Sequence, residues 1–226
     1  MTPPQRMSAE AFDLLADLER NNRRDWFEAR REEFASIVVD PFVGVLEDAS
    51  CGLTDGAWPV SGGRRTVFRQ LRDQRYAKAE PYATAVRALL TTSGTKPTRE
   101  ACVHVEVSAS GGFVGAGLHR PTAASFAPVR RRMLDEPDRW RDVVEHLHAA
   151  EQKLVDDRLV RMPRGFEADA DHDLADAVRL RSLEVMRRLT PDDWLDGTVV
   201  SVIVDLVRAS MPLLRFVNEV DRTTAE

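Results

Sequence analysis

Only two cysteines, Cys51 and Cys102, occur in the 226 residues, and neither sits in a C-x-x-C spacing. A disulfide framework, a zinc knuckle and a dithiol redox centre are therefore poor readings, and a reducing, cytoplasmic setting is expected. Long apolar runs are missing as well. No window approaches the roughly 18 to 20 apolar residues needed to span a bilayer, and the opening MTPPQRMSAEAF has no apolar signal core. The expectation is a soluble protein with no membrane partner. Positive charge is also in deficit: 32 Lys and Arg against 37 Asp and Glu give −5, which disfavours nucleic acid as a general partner unless charge is segregated. No G-x-x-x-x-G-K-[ST] loop, nucleophile-elbow serine, H-x-x-x-H or H-E-x-x-H is present, so no metal and no cofactor is implied. GGFVGAGLH has the glycines of a dinucleotide loop but runs from strand to strand, the wrong context for one.

The hydrophobic share is 43% and the charged share 31%, ordinary for a globular chain long enough to bury a real core. Ser8 caps a helix through AEAFDLLADLER, with Phe12, Leu15 and Leu18 on one stripe, and Asn21 and Asn22 read as its stop and the next cap. Arg23 to about Leu46 reads as one long amphipathic helix kinked or divided at Pro41. Glycines and prolines between 52 and 63 mark a connector. RTVFRQLRD is ambiguous between strand and helix, and its β-branched start and flanking glycines favour the strand. In ACVHVEVSA, Val103, Val105 and Val107 alternate with His104, Glu106 and Ser108; FVGAGLHR follows the SGG turn as the antiparallel partner. Its glycines allow a bulge or a close approach of backbone to ligand. Segments 123 to 134 and 138 to 155 read as helices, LVRMPRGF as an extended run into a turn, and 169 to 183 as helical with a strand possible after it. Thr190 and Pro191 open a last helix running to about Val217. Strands and helices do not alternate strictly, so one α+β domain is expected, an antiparallel sheet packed against several helices, with loose ends at 1–7 and 219–226.

Charge is segregated in one place. Residues 61 to 82 carry Arg64, Arg65, Arg69, Arg72, Arg75 and Lys78 against Asp73 and Glu80, a local balance of +4. Four stretches in order resemble an uncharacterised bacterial family, domain of unknown function 2461: NNRRDWFEARREEF, FRQLRDQRYAKAEPY, FVGAGLHRP and RMPRGFEADADHDLADAVRLRS. Asn21, Asn22, Trp26 and Phe27 match the family's first motif. Arg69, Arg72, Asp73, Arg75, Pro81 and Tyr82 match the second, with Tyr76 in place of phenylalanine. An Asp-Lys pair of the family is not reproduced near Ala79 and Glu80, so a contact made by that lysine is either lost or supplied by Lys78. In the third motif Ala116 replaces a glycine and His119 a tyrosine, while Pro163, Arg164, Gly165 and Phe166 match the fourth closely. The family carries no assigned activity, so the resemblance implies where to look and not a mechanism.

Arginine offers a planar fork that holds two oxygens of a phosphate or carboxylate at once. Arg69, Arg72 and Arg75 can therefore form an anion pocket, with Asp73 orienting one guanidinium, Tyr76 or Tyr82 adding a hydroxyl, Lys78 nearby, and Arg120 and Arg164 closing it from other parts of the chain. His104 and Glu106 share a strand face and are the weak candidates for acid and base, with Asp73; as polar residues on the wet face of a hairpin they need no such role. The leading reading is a binder of a small phosphorylated or carboxylated ligand, with catalysis left open. Two others stand beside it: a nucleic-acid or protein interaction surface made of the same strip, and a purely structural ion-pair network.

Overall fold

The computed structural model describes residues 5–55, 58–73, 80–96 and 100–223, with side chains described as far as Glu219. Helix α1 spans Ala9–Arg20, and its cap is the expected one: the Ser8 hydroxyl accepts from the Ala11 N–H at 3.3 Å. Phe12, Leu15 and Leu18 are buried along it. Asn21 ends it, its backbone N–H and its side-chain amide both donating to the Asp17 carbonyl.

The long helix expected over residues 23 to 46, kinked or divided at Pro41, is divided at a different place. Helix α2 is Arg24–Ala29, α3 is Arg31–Phe34, a π-helical turn occupies Ala35–Val39, and α4 is Asp40–Cys51. The break falls at Arg30, and Pro41 is absorbed into the first turn of α4. A proline has no N–H for the carbonyl four residues back and its ring crowds that carbonyl; a widened π turn just before it removes the conflict without ending the helix.

Four strands form one antiparallel sheet in the order β1-β2-β3-β4. They are β1 Val86–Leu90, β2 Cys102–Ser108, β3 Gly111–Leu118 and β4 Leu183–Leu189. In β2 the valines are buried and His104, Glu106 and Ser108 half-buried, as their alternation predicts. Arg87 of β1 stands opposite Glu106, and Leu89 opposite His104. The glycines of β3 serve strand packing: a Cβ on Gly117, which has φ +139°, would lie 2.0 Å from the Leu183 carbonyl oxygen of β4.

After β3 come α5 (Ala123–Asp135) and α6 (Pro137–Ala149), then a largely irregular stretch with a short α7 (Ala175–Val178) before β4. The expected helix over 169 to 183 thus shrinks to one turn. The last helix is three: α8 (Pro191–Leu195), α9 (Val199–Ala209) and α10 (Met211–Thr223). Thr190 caps α8 through a reciprocal box with Asp193, and Gly197, at φ +84°, separates α8 from α9. Residues near the ends are held: Met7 is buried and its N–H donates to the Trp194 carbonyl at 3.0 Å, and Glu219 pairs with Arg132 at 3.0 Å. Of the ends expected to be loose, 1–7 and 219–226, residues 1–4 and 224–226 lie outside the described residues.

The chain falls into two compact units. The first comprises Met1–Lys96, Val103–Val114 and Arg187–Leu206; the second comprises Pro97–Cys102, Gly115–Met186 and Val207–Glu226. In the first, Phe42 packs on Trp194 with ring centroids 5.9 Å apart. In the second, Trp140 packs on Phe216 at 5.3 Å, and Arg132 donates to the Phe216 carbonyl at 2.9 Å.

Candidate anion-binding site

From Val67 to Arg72 the arginine-bearing segment of the first unit runs extended. After a 3-10 turn at Arg64–Thr66, bridges join Val67 to Ala88 and Leu71 to Tyr82. Tyr82 is the anchor. Asn22, expected to cap a helix, instead clasps the Tyr82 backbone, Nδ2 donating to its carbonyl at 2.9 Å and Oδ1 accepting its N–H at 3.0 Å. The Tyr82 ring stacks on Phe27 with centroids 4.0 Å apart, and its hydroxyl donates to Glu28 at 3.0 Å. Burial, and then the bond to Glu28, raise its phenol above the ordinary tyrosine value. The first two sequence motifs therefore meet in space, and their asparagine, phenylalanine and tyrosine fix the arginine-bearing segment.

Along that segment Arg69 and Arg72 line a cavity of about 340 Å³ together with Phe68, Arg87 and His104. Arg72 pairs with Glu80 at 3.2 Å, and Arg87 pairs with Glu106, so two of these cations already have carboxylates. Asp73 is half-buried at the end of the described stretch, and Arg75, Tyr76 and Lys78 lie outside the described residues.

Arg120 and Arg164 do not line this cavity. They line another of about 470 Å³, within the second unit, where two arginines not singled out from sequence join them: Arg130 and Arg181. Phe126 and Leu159 add apolar wall, and no carboxylate stands among the lining residues.

Each arginine arrives by a different route. Arg120 follows β3 with φ +40°, a left-handed conformation uncommon for a side-chain-bearing residue, and its N–H donates to the Ser182 hydroxyl at 2.9 Å. Strain of this kind gathers where a side chain must be aimed. Arg164 sits in a turn closed by the Phe166 N–H donating to the Pro163 carbonyl at 3.0 Å, with Gly165 at φ +86°. Phe166 anchors that turn, buried beneath the Arg131 guanidinium 4.8 Å from its ring centre. Arg181 precedes β4 and lies 3.4 Å from Asp157. Among the described residues neither Arg120 nor Arg164 has a carboxylate within ion-pair distance.

Arg130 is the unusual member. It is 4% exposed on the inner face of α5. Its Nε donates to the Val178 carbonyl at 2.7 Å and its Nη2 to that of Leu180 at 2.8 Å, and its guanidinium stacks 4.0 Å from the Phe126 ring centre. Nη1 has no hydrogen-bond partner among the described residues, nor is there a carboxylate partner for the group. Burial pulls the guanidinium down to about 10, still fully charged at neutral pH. A buried cation is normally matched by an anion; this one faces a cavity instead.

Beside Arg120, His119 places Nδ1 at 2.8 and 3.0 Å from the two carboxylate oxygens of Glu184, which is 5% exposed. An ionised carboxylate only accepts, so this contact favours the tautomer with hydrogen on Nδ1. Among the described residues no group of three or more His, Cys, Asp or Glu stands close enough to hold a metal. No described helix is long and apolar enough to cross a membrane.

The fold and cavity together describe an α+β protein with an arginine-lined recess. The chain belongs to the conserved hypothetical protein family DUF2461, whose pattern matches residues 10–216. No curated protein and no solved structure matches it.

Proposed function

We propose that the protein binds a small phosphorylated or carboxylated molecule in the second-unit cavity, with Arg120, Arg130, Arg164 and Arg181 as its anion contacts. The observation that carries this reading is Arg130, a buried guanidinium without a carboxylate, lining a recess whose other charged residues are all arginines. Counting Asp157 against Arg181 leaves three cations uncompensated among the described residues. A dianion placed among them offsets two of the three charges and gives the buried Arg130 a counter-ion, and bidentate guanidinium contacts give orientation as well as affinity. A cavity of about 470 Å³ suits a metabolite-sized ligand.

A thermal-shift panel tests it: inorganic phosphate, sugar phosphates, di- and tricarboxylates and short oligonucleotides, at low and moderate salt, on wild type and on the double variant Arg120→Ala, Arg164→Ala. A compact dianion is expected to raise the wild-type midpoint at moderate salt and to leave the double variant unmoved. Ligand at about a hundredfold its Kd stabilises by about 2.7 kcal/mol, roughly 5 to 10 °C for a chain of this size. Stabilisation by oligonucleotides alone, collapsing as salt rises, moves the function to an extended basic surface. No response to any anion, with a double variant that melts earlier, makes the arginines structural.

A further inference from the structure

Arginine is a donor-only side chain: its guanidinium offers N–H groups and accepts no hydrogen bond. The wall of the second-unit cavity consists of four arginines and five apolar residues, Pro121, Ala123, Phe126, Leu159 and Pro163. Among the described residues, then, no lining side chain can accept a hydrogen bond. The Ser182 hydroxyl lies outside the wall, 3% exposed and taking the Arg120 N–H.

Much of the backbone around the cavity is engaged too. The carbonyls of Val178 and Leu180 accept from Arg130, and that of Pro163 accepts from the Phe166 N–H. Those of Ala123, Phe126 and Arg130 fall inside α5, where the N–H four residues on takes them. A ligand hydroxyl turned towards this wall therefore meets donors and hydrocarbon. Each hydroxyl buried without an acceptor weakens binding by about tenfold, whereas each methylene buried there strengthens it by about fourfold.

Charge sets the head group. Asp157 stands on Arg181, and Glu167 accepts the Gly165 N–H at 2.9 Å on the turn that carries Arg164. Four guanidiniums less both of these carboxylates still leave two positive charges among the described residues. A phosphate monoester carries about two negative charges on one group at neutral pH, so the rest of the molecule is left uncharged for the apolar wall. Taking this cavity as the anion site proposed above, we infer that its ligand is a phosphate monoester of a hydrocarbon. The phosphoryl oxygens lie on the arginines and the alkyl or aryl group on the apolar residues, and sugar phosphates and nucleotides are poor ligands.

Hexyl phosphate and glucose 6-phosphate form a matched pair, each a phosphate on the primary carbon of a six-carbon body, and only the second carries hydroxyls. Isothermal titration of the full chain at pH 7.5 is expected to give one saturable site for hexyl phosphate, about tenfold or more tighter than for glucose 6-phosphate or inorganic phosphate. Leu159→Asn, which keeps the side-chain size at a half-buried position and adds an amide, is expected to weaken hexyl phosphate about fivefold or more and to leave inorganic phosphate unchanged. The double variant Arg120→Ala, Arg164→Ala weakens all three. Glucose 6-phosphate binding as tightly as hexyl phosphate, or Leu159→Asn binding hexyl phosphate normally, would overturn the hydrocarbon assignment and leave the anion site standing. Hexyl phosphate that binds the double variant as it binds wild type occupies another apolar recess, which also overturns the assignment. Absence of binding by all three phosphates removes the anion site itself, and the hydrocarbon assignment with it.

Discussion

Replacing Arg130 with alanine removes two charge-assisted hydrogen bonds, to the carbonyls of Val178 at 2.7 Å and Leu180 at 2.8 Å, and its stack on Phe126 at 4.0 Å. Each buried carbonyl left without a donor costs about 1 to 3 kcal/mol, and the cation–π contact adds about 0.5 to 2 kcal/mol. Relief from burying an unmatched charge offsets part of this. The net expectation is a loss of about 3 kcal/mol, or roughly 6 to 12 °C in Tm for a chain of this size. Urea unfolding followed by circular dichroism reads it as a lowered midpoint at unchanged slope. Arg120→Ala and Arg164→Ala, which remove no ion pair among the described residues, stay within about 0.5 kcal/mol of wild type. The two classes separate because Arg130 holds two backbone carbonyls, whereas the Arg120 and Arg164 side chains make no ion pair among the described residues. An Arg130→Ala protein within about 1 kcal/mol of wild type would refute the reasoning about the carbonyls, and an equal loss in Arg164→Ala would refute the distinction.

Asn22→Ala unclasps Tyr82 by deleting bonds of 2.9 and 3.0 Å to its backbone, and is expected to cost about 1 to 3 kcal/mol; a loss below about 0.5 kcal/mol in urea unfolding would remove the anchoring role. The Asp193 carboxyl is held below its ordinary range, chiefly by the Thr190 N–H at 2.7 Å. Because the folded value is the lower one, its stabilisation is complete above the unfolded value and disappears as pH falls through the folded one. The stability difference between wild type and Asp193→Ala should therefore be about 1 kcal/mol near neutrality and shrink below about pH 4; a constant difference down to pH 2 contradicts this. Cys51 is exposed, whereas Cys102 is 4% exposed with its thiol pushed up to about 12, first by burial. Iodoacetamide at pH 8 should modify one thiol quickly and the second only in denaturant; two equal rates would contradict the burial.

Where local chemistry decides, the residues were readable. The valines of β2, the Ser8 cap and the Thr190 cap with Pro191 all formed what their patterns predict. Strand β1 was missed because VRALL has no clean alternation: four of its five residues are buried, and such a run reads equally as buried helix. The helix break at Arg30 has no proline or glycine to announce it; the one at Ser210 has Pro212, in the first turn of α10, a start signal that was passed over. Asn22 looked like a cap because asparagine commonly is one; its partner, Tyr82, is 60 residues away. Arg130 carried a signal that was passed over. Phe126, Val129 and Met133 define the buried stripe of α5, and residue 130 falls on that stripe, so one arginine of the run 130–132 had to face inward. Arg120 and Arg164 were picked out from sequence, but which cavity they share is a matter of long-range packing that spacing does not encode.

Co-crystallisation with tungstate, a tetrahedral dianion located by its anomalous signal, tests the central claim most directly. An anomalous peak in the second-unit cavity, with oxygens within hydrogen-bond distance of Arg130 Nη1 and the Arg164 guanidinium, is the predicted result. Tungstate that saturates elsewhere and leaves Arg130 without a counter-anion would contradict it.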